Sequence, residues 1–430
     1  MICIDCVKPE PLKKHVAMNG QTHPCRYCGR SGTAVTADSL FGYIYDRVRE
    51  NVADEDGLSQ FEYGMIYEGG ADDIAVQSID MVLSEWFDLG DELYFEELLG
   101  SVPTEFKTNA RGHETHFYSD GGLLERNFYE DRWAAFIEDI RHAHRFFNPR
   151  ARGFLDAVFA FLLVEETTLR PECVRTMACG EPLFRARTAD GYHQVKALVE
   201  NLASQFGPTP KDKAGSQRMT PNGISALYCA LQRETCLSEI RSITGDHVVS
   251  VGLTPTTHLK LLDLTRLEQL EPPERTLLDV GYLDNVHLKT FINSLVKKMS
   301  RPKGRNDELS YLSTQVVFEY LRLRFGAQVD GLVFPSVQTG ERGTNVVLFP
   351  EASVISATPL EMPDEIGAAL GDRPGGVFEP GARLAVIAGS ARFHKVVATT
   401  THATEFTRIN ELFMSDLVRK QPGLPAALPG

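Results

Sequence analysis

Residues 217–241, QRMTPNGISALYCALQRETCLSEIR, decide how the C-terminal half of this chain folds, because a turn, an apolar run and a helix follow one another without a spacer. Met219-Thr220-Pro221-Asn222-Gly223 is a turn by its own chemistry: proline fixes φ, and the Asn-Gly that follows tolerates positive φ. Ile224 to Leu231 is nearly continuous in apolar residues and of strand length, which suits a strand covered on both faces and points Tyr228 toward protein. Gln232 to Thr235 supplies polar capping residues, and Leu237 and Ile240 then recur at helical spacing with Glu239 between them. A carboxylate at the edge of an apolar helix face is an unusual expense.

Two distant segments give that glutamate a context. Upstream, LFRAR at 183–187 opens a strand, and its alternation puts Arg185 and Arg187 on one face. Downstream, residues 311–349 read YLSTQVVFEYLRLRFGAQVDGLVFPSVQTGERGTNVVLF, a helix from Leu312 to Arg324 ahead of strands at Gly331–Phe334 and Asn345–Phe349. Taken singly, Glu239 would pair with a base such as Arg241, Tyr228 would be a core tyrosine, and Ser336 a turn residue after Pro335. Their joint occurrence is what changes the reading.

In order and in flanking sequence these residues resemble the RES domain family, named for an arginine, a glutamate and a serine. Its members degrade NAD and resemble ADP-ribosyltransferases in fold. The resemblance puts the family's first arginine at Arg185, a second, just before the Pro-Asn-Gly turn, at Arg218, its tyrosine at Tyr228, its glutamate at Glu239 and its serine at Ser336. It implies that Arg185 and Arg218 hold NAD phosphates, with Arg187 an alternative or a companion. It also implies that Tyr228 packs beside nicotinamide and its ribose, that Glu239 steadies an oxocarbenium-like centre or positions the attacking phosphate or water, and that Ser336 hydrogen-bonds the substrate. Asn345 and Gln315 sit in matching motifs and either contact the substrate or brace the fold. The activity implied is cleavage of the nicotinamide-ribose bond by phosphorolysis or hydrolysis, in a toxin or defence effector. ADP-ribose transfer to a macromolecule and an inactive, partner-binding domain are the competing readings.

Composition bounds the rest. The chain has 430 residues, 43% of them hydrophobic, enough for two or three domains. Its formal charge of −14 argues against a broad nucleic-acid or anionic-lipid surface. The opening MICIDCVKPEPLKK lacks the order of a secretory signal, so the expected location is the cytoplasm. Of eight cysteines, Cys3, Cys6, Cys25 and Cys28 form two CxxC pairs with the spacing of a zinc ribbon. Four thiolates leave no open coordination position, so the expected zinc is structural. His15 and His23, read as loop residues between the pairs, are alternative ligands.

The organisation expected is therefore multidomain: a zinc ribbon over 1–35, a helical domain over 36–170, an α+β RES domain over 177–355, and an extension over 356–430. In the helical stretch Asp38 is the expected cap of a helix faced by Leu40, Ile44 and Val48, and Trp133 to Phe147 reads as one long amphipathic helix with His144 a core residue. With the cysteine prefix, WAAFIEDIRHAHRFF resembles the HEPN-type domain that precedes some RES domains, through which a trigger or antitoxin protein would act. The one arginine–histidine pair with ribonuclease-like spacing, Arg111 and His116, lies in a Gly- and Asp-rich loop, so RNA cleavage is not expected. In the extension, 383–388 and 393–399 read as a strand pair turned at Gly389-Ser390.

Overall fold

A computed structural model describes residues 1–58, 75–109, 112–119, 128–165, 167–240, 242–270, 275–300, 309, 311–340, 342–363, 374 and 376–398. Arg111 and Arg241 lie outside these. The chain falls into two compact units: one holds Met1–Asp131 with Glu271–Phe291, the other Arg132–Leu270 with Ile292–Thr407, each so far as it is described. No described helix is long and apolar enough to cross a membrane.

In the first unit a three-stranded antiparallel sheet places Ser31–Val35 between Ile2–Cys3 and Gln21–Pro24. The stretch between the two cysteine pairs is not a loop: Glu10–Asn19 is a helix that buries Leu12 and Val16. His15 on that helix stacks against Tyr43 and lies 3.2 Å from Ser39 Oγ, so it is engaged elsewhere than with the cysteines. The next helix, Ala37–Asn51, buries Leu40, Ile44 and Val48 as expected, but its cap is Thr36, whose side chain accepts from Ser39 N; Asp38 sits in the first turn, where it complements the helix dipole. The region is also less helical than expected. Phe117–Ser119 pairs antiparallel with Ala53–Asp54 and Ala75–Gln77, since an aromatic-rich run favours a pleated, half-buried surface. Tyr43 and Asn51 bond the carbonyls of Leu278, and of Leu277 and Asp279, which ties the returning chain to this core.

The second unit carries a nine-stranded sheet. Its strands are Val174–Met177 (β1), Leu183–Ala189 (β2), Leu227–Ala230 (β3), His247–Pro255 (β4), Leu259–Asp263 (β5), Gly331–Ser336 (β6), Gly343–Leu348 (β7), Leu384–Val386 (β8) and Arg392–Lys395 (β9). The order is β8-β4-β2-β3-β7-β6-β5-β1, with β9 also on β4. Only β5 and β6 run parallel among these pairs. Three helices matter for the site: Tyr192–Glu200 (α1), Arg233–Glu239 (α2) and Leu312–Phe325 (α3).

One break in this sheet has consequences. Strand β2 is matched to β4 over seven register pairs and β3 to β7 over four, whereas β2 and β3 meet at a single described pair, Phe184↔Ala230. The sheet is thus two half-sheets that splay where β2 leaves β3. The strand expected from Ile224 begins only at Leu227, because Ile224 N bonds back to the Pro221 carbonyl and Ser225 Oγ to the Thr209 carbonyl.

Three further expectations are corrected. The helix through Trp133 ends early: Phe128–Glu138 passes into a π-helical turn at Asp139–Ala143, Asn148 caps the next helix, and Phe147, at φ 51°, is fully exposed. His144 is exposed too, so it is no core histidine. The strands flanking Gly389-Ser390 do not pair with each other; both lie on β4, as one edge strand interrupted where Ser390 Oγ accepts from Gly252 N.

Candidate active site

The split between β2 and β3 opens a cavity of about 350 Å³, lined by Arg185 and Ala186 from β2, by Arg218, by Tyr228 from β3, by Glu239 from α2 and by Asn345 from β7, among others. Residues up to 160 positions apart in sequence meet here.

Glu239 is the most tightly specified member. Its Oε1 accepts from Ser336 Oγ at 2.6 Å and from Asn345 Nδ2 at 2.7 Å. The second oxygen has no hydrogen-bond partner among the described residues. Glu239 ends α2, at the negative end of the helix dipole, where a carboxylate is disfavoured unless donors meet it. The helix can approach because of Gly343: a Cβ there would stand 2.1 Å from Thr235 Oγ1. Gln232 then staples the start of α2 to β7, its Oε1 accepting from Thr344 N at 2.9 Å and Thr235 Oγ1 at 3.1 Å.

The arginines present the complementary problem. Arg185 is half-buried, yet its Nη1 is enclosed and unpartnered. Burial lowers its pKa, and Arg187 adds like-charge repulsion. Arg218 is buried, and no described carboxylate lies within ion-pair distance of either guanidinium. Unpaired buried cations are costly unless a ligand supplies the anion. Arg187 is half-buried like Arg185 but is not among the residues lining the cavity.

Tyr228 is half-buried, and its hydroxyl accepts from Met219 N at 3.0 Å, with Thr220 Oγ1 3.3 Å away. Burial pushes its pKa up to about 12, so it is a neutral phenol at physiological pH. Ser336 is 0% exposed, is not among the residues lining the cavity, and donates to Glu239, so it braces the carboxylate. Asn345 both lines the cavity and holds Glu239. Cys229 and Cys236 also line the cavity, and sequence reasoning did not assign them to it; burial raises both thiols to about 12, so they act there as small apolar walls.

A larger hollow of about 840 Å³, near Phe147 and Leu323, lacks such convergence. Its Asp156 is already taken by Tyr320 and Arg152, and Arg145 by the Ile140 carbonyl.

In the first unit, Cys3, Cys6, Cys25 and Cys28 bring their sulfurs within 4.8 Å of one another, a cluster that could bind a metal ion. Cys3 and Cys28 are 3.6 Å apart and Cys6 and Cys25 3.7 Å.

The cleft that splits the sheet thus holds a braced carboxylate and two guanidiniums without carboxylate partners among the described residues. Residues 182–365 match the RES domain family, and the chain carries a RES domain over that stretch. The family is associated with NAD-related toxin function and so suggests, at family level, an enzyme acting on NAD. No curated protein matches the chain.

Proposed function

We propose that this chain consumes NAD by cleaving the nicotinamide-ribose bond, and that Arg185, Arg218, Tyr228 and Glu239 touch the substrate. The observation that carries the reading is the pairing of opposites in one cavity: a carboxylate with one oxygen fixed by two donors and, among the described residues, the other free, and two guanidiniums without a described carboxylate partner. A dinucleotide has the matching chemistry. Its diphosphate suits the planar fork of arginine, and its glycosidic carbon becomes cationic as the bond breaks.

When the C1′–N bond breaks, its electron pair leaves with nicotinamide, which departs neutral, and C1′ acquires oxocarbenium character. Glu239 Oε2 stabilises that charge, because the carboxylate is already oriented and needs no reorganisation. Phosphate or water then adds to C1′, the nucleophile's excess proton passing to solvent or to the carboxylate. Tyr228 stays protonated throughout and offers its ring as a wall beside the nicotinamide riboside. Ser336 and Asn345 act through Glu239.

The four-cysteine cluster fits zinc. A zinc–sulfur bond of about 2.3 Å puts tetrahedral sulfurs about 3.8 Å apart, close to the 3.6 and 3.7 Å separations. All four positions are protein ligands, so the ion would hold the N-terminal sheet and take no part in catalysis. We read the N-terminal unit as HEPN-like and as the place where a trigger or an antitoxin acts on a toxin or defence effector.

Purified protein incubated with NAD, with and without phosphate, should release nicotinamide, and Glu239→Ala should lose at least about a hundredfold in rate. Product analysis separates ADP-ribose-1″-phosphate from ADP-ribose. Label from NAD appearing on protein or nucleic acid would mean transfer instead, and equal turnover by Glu239→Ala would remove the mechanism.

A further inference from the structure

Arg218 is carried not by a strand or a helix but by the turn at residues 217–220, closed by one backbone bond from Gln217 N to the Thr220 carbonyl at 2.8 Å. Such a turn would leave a guanidinium free to wander, yet this one is held from two sides. On one side Tyr228 Oη receives Met219 N. On the other, helix α3 presents Gln315 and Thr314. Gln315 is buried, and its Nε2 lies 2.9 Å from Ser216 Oγ, 2.8 Å from the Gln217 carbonyl and 3.2 Å from the Thr220 carbonyl. Two of these acceptors are carbonyls, which fixes which end of the amide points inward, and two N–H groups shared over three oxygens leave no donor spare. Thr314 Oγ1, also buried, stands 2.6 Å from the carbonyl of Arg218 itself. Neither side chain lines the cavity.

We propose that Gln315, seconded by Thr314, is a positioning residue for Arg218: it sets affinity for the anionic part of the substrate without touching it. The inference rests on the proposed NAD reading. Two separate bracing systems then serve the two charges of the site. Ser336 and Asn345 hold Glu239 and govern the chemical step, whereas α3 holds the Arg218 turn and governs binding. A brace that acts on binding alone shifts KM and leaves kcat in place, and displacement of a charged anchor by about 1 Å is enough for a large effect.

The test uses the full chain with Gln315→Met, which keeps the length of the side chain and removes both donors. KM for NAD should rise roughly tenfold or more with kcat within about threefold, while Ser336→Ala shows the opposite split. In an Arg218→Ala background the Gln315→Met change should add clearly less than it costs alone, because Arg218 is then gone and only the weaker routes through Gln217 and Tyr228 remain. Hydrogen exchange at the amides of Gln217 and Met219 should quicken in Gln315→Met, a reading that needs no substrate. An unchanged KM, additive losses in the double variant, or unaltered exchange at those amides each overturns the proposal. If the unaltered protein neither binds nor cleaves NAD, the functional reading fails, and the exchange measurement alone still decides whether Gln315 holds the turn. Should Gln315→Met not fold, Thr314→Val gives the same comparison with a smaller expected rise.

Discussion

Replacing Ser336 by alanine removes a single hydroxyl from a site where it is wholly enclosed and where its partner is Glu239. A hydrogen bond to a charged group is worth about 1.5–3 kcal/mol. If that interaction orients the carboxylate in the transition state, its loss lowers kcat by roughly 10- to 150-fold. The lower part of that range is expected, because Asn345 still donates to the same oxygen at 2.7 Å. KM should hardly move, since Ser336 does not line the cavity. The assay is steady-state nicotinamide release over a range of NAD concentrations, with thermal unfolding as a check on the fold. Ser336→Ala combined with Asn345→Ala should approach Glu239→Ala, because both then lack an oriented carboxylate. A rise in KM at constant kcat would refute the reasoning and restore the role the family resemblance implied, a serine that bonds the substrate.

The two arginines of LFRAR should separate: Arg185→Ala is expected to raise KM for NAD at least about tenfold through loss of a phosphate partner, while Arg187→Ala, outside the cavity lining, stays within about twofold. Metal analysis of protein purified without chelator should find about one zinc per chain, and Cys6→Ser should lower that occupancy and loosen the N-terminal sheet; absence of zinc would dismiss the ribbon. Above pH 9 stability should decline. Tyr228, Cys229 and Cys236 have folded pKa values raised to about 12 from ordinary values of 10, 9 and 9. Between the ordinary and raised values the unfolded chain has lost protons that the folded chain keeps, so unfolding is favoured increasingly as pH rises through that window. Urea midpoints measured from pH 8 to 11 check it, and a flat or rising series would contradict the burial of these groups.

Much of the site was legible in the chain. The Pro-Asn-Gly turn, the apolar run through Tyr228 and the helix carrying Glu239 are local events, governed by fixed φ, by alternation and by helical spacing, and each appears close to where those rules put it. The cysteine spacing likewise anticipated a cluster. Local rules failed where a neighbour in space overrode them. The strand began at Leu227 and not at Ile224 because Ile224 N bonds back to the Pro221 carbonyl and Ser225 Oγ to the Thr209 carbonyl. The capping role went to Thr36 and not to Asp38 through a difference of two residues that only hydrogen-bond geometry resolves. The strands beside Gly389 read as a hairpin, yet both joined the edge of β4, whose free backbone groups are a stronger template than a two-residue turn.

Sequence by itself determined which chemistry was present: arginines for anions, a glutamate where a helix face is otherwise apolar, four thiols in two pairs. Tertiary structure decided what each group does. Arg185 and Arg187 are equivalent by alternation, and only the splay of β2 from β3 puts one in the cavity and leaves the other out. Ser336 became a brace for Glu239 because β6 and α2 meet, a relation between residues 97 positions apart. Pattern along a chain records which side chains are available and on which face they stand. The partner of a hydroxyl or a guanidinium is fixed by distances across the fold, and those arise only when the elements pack.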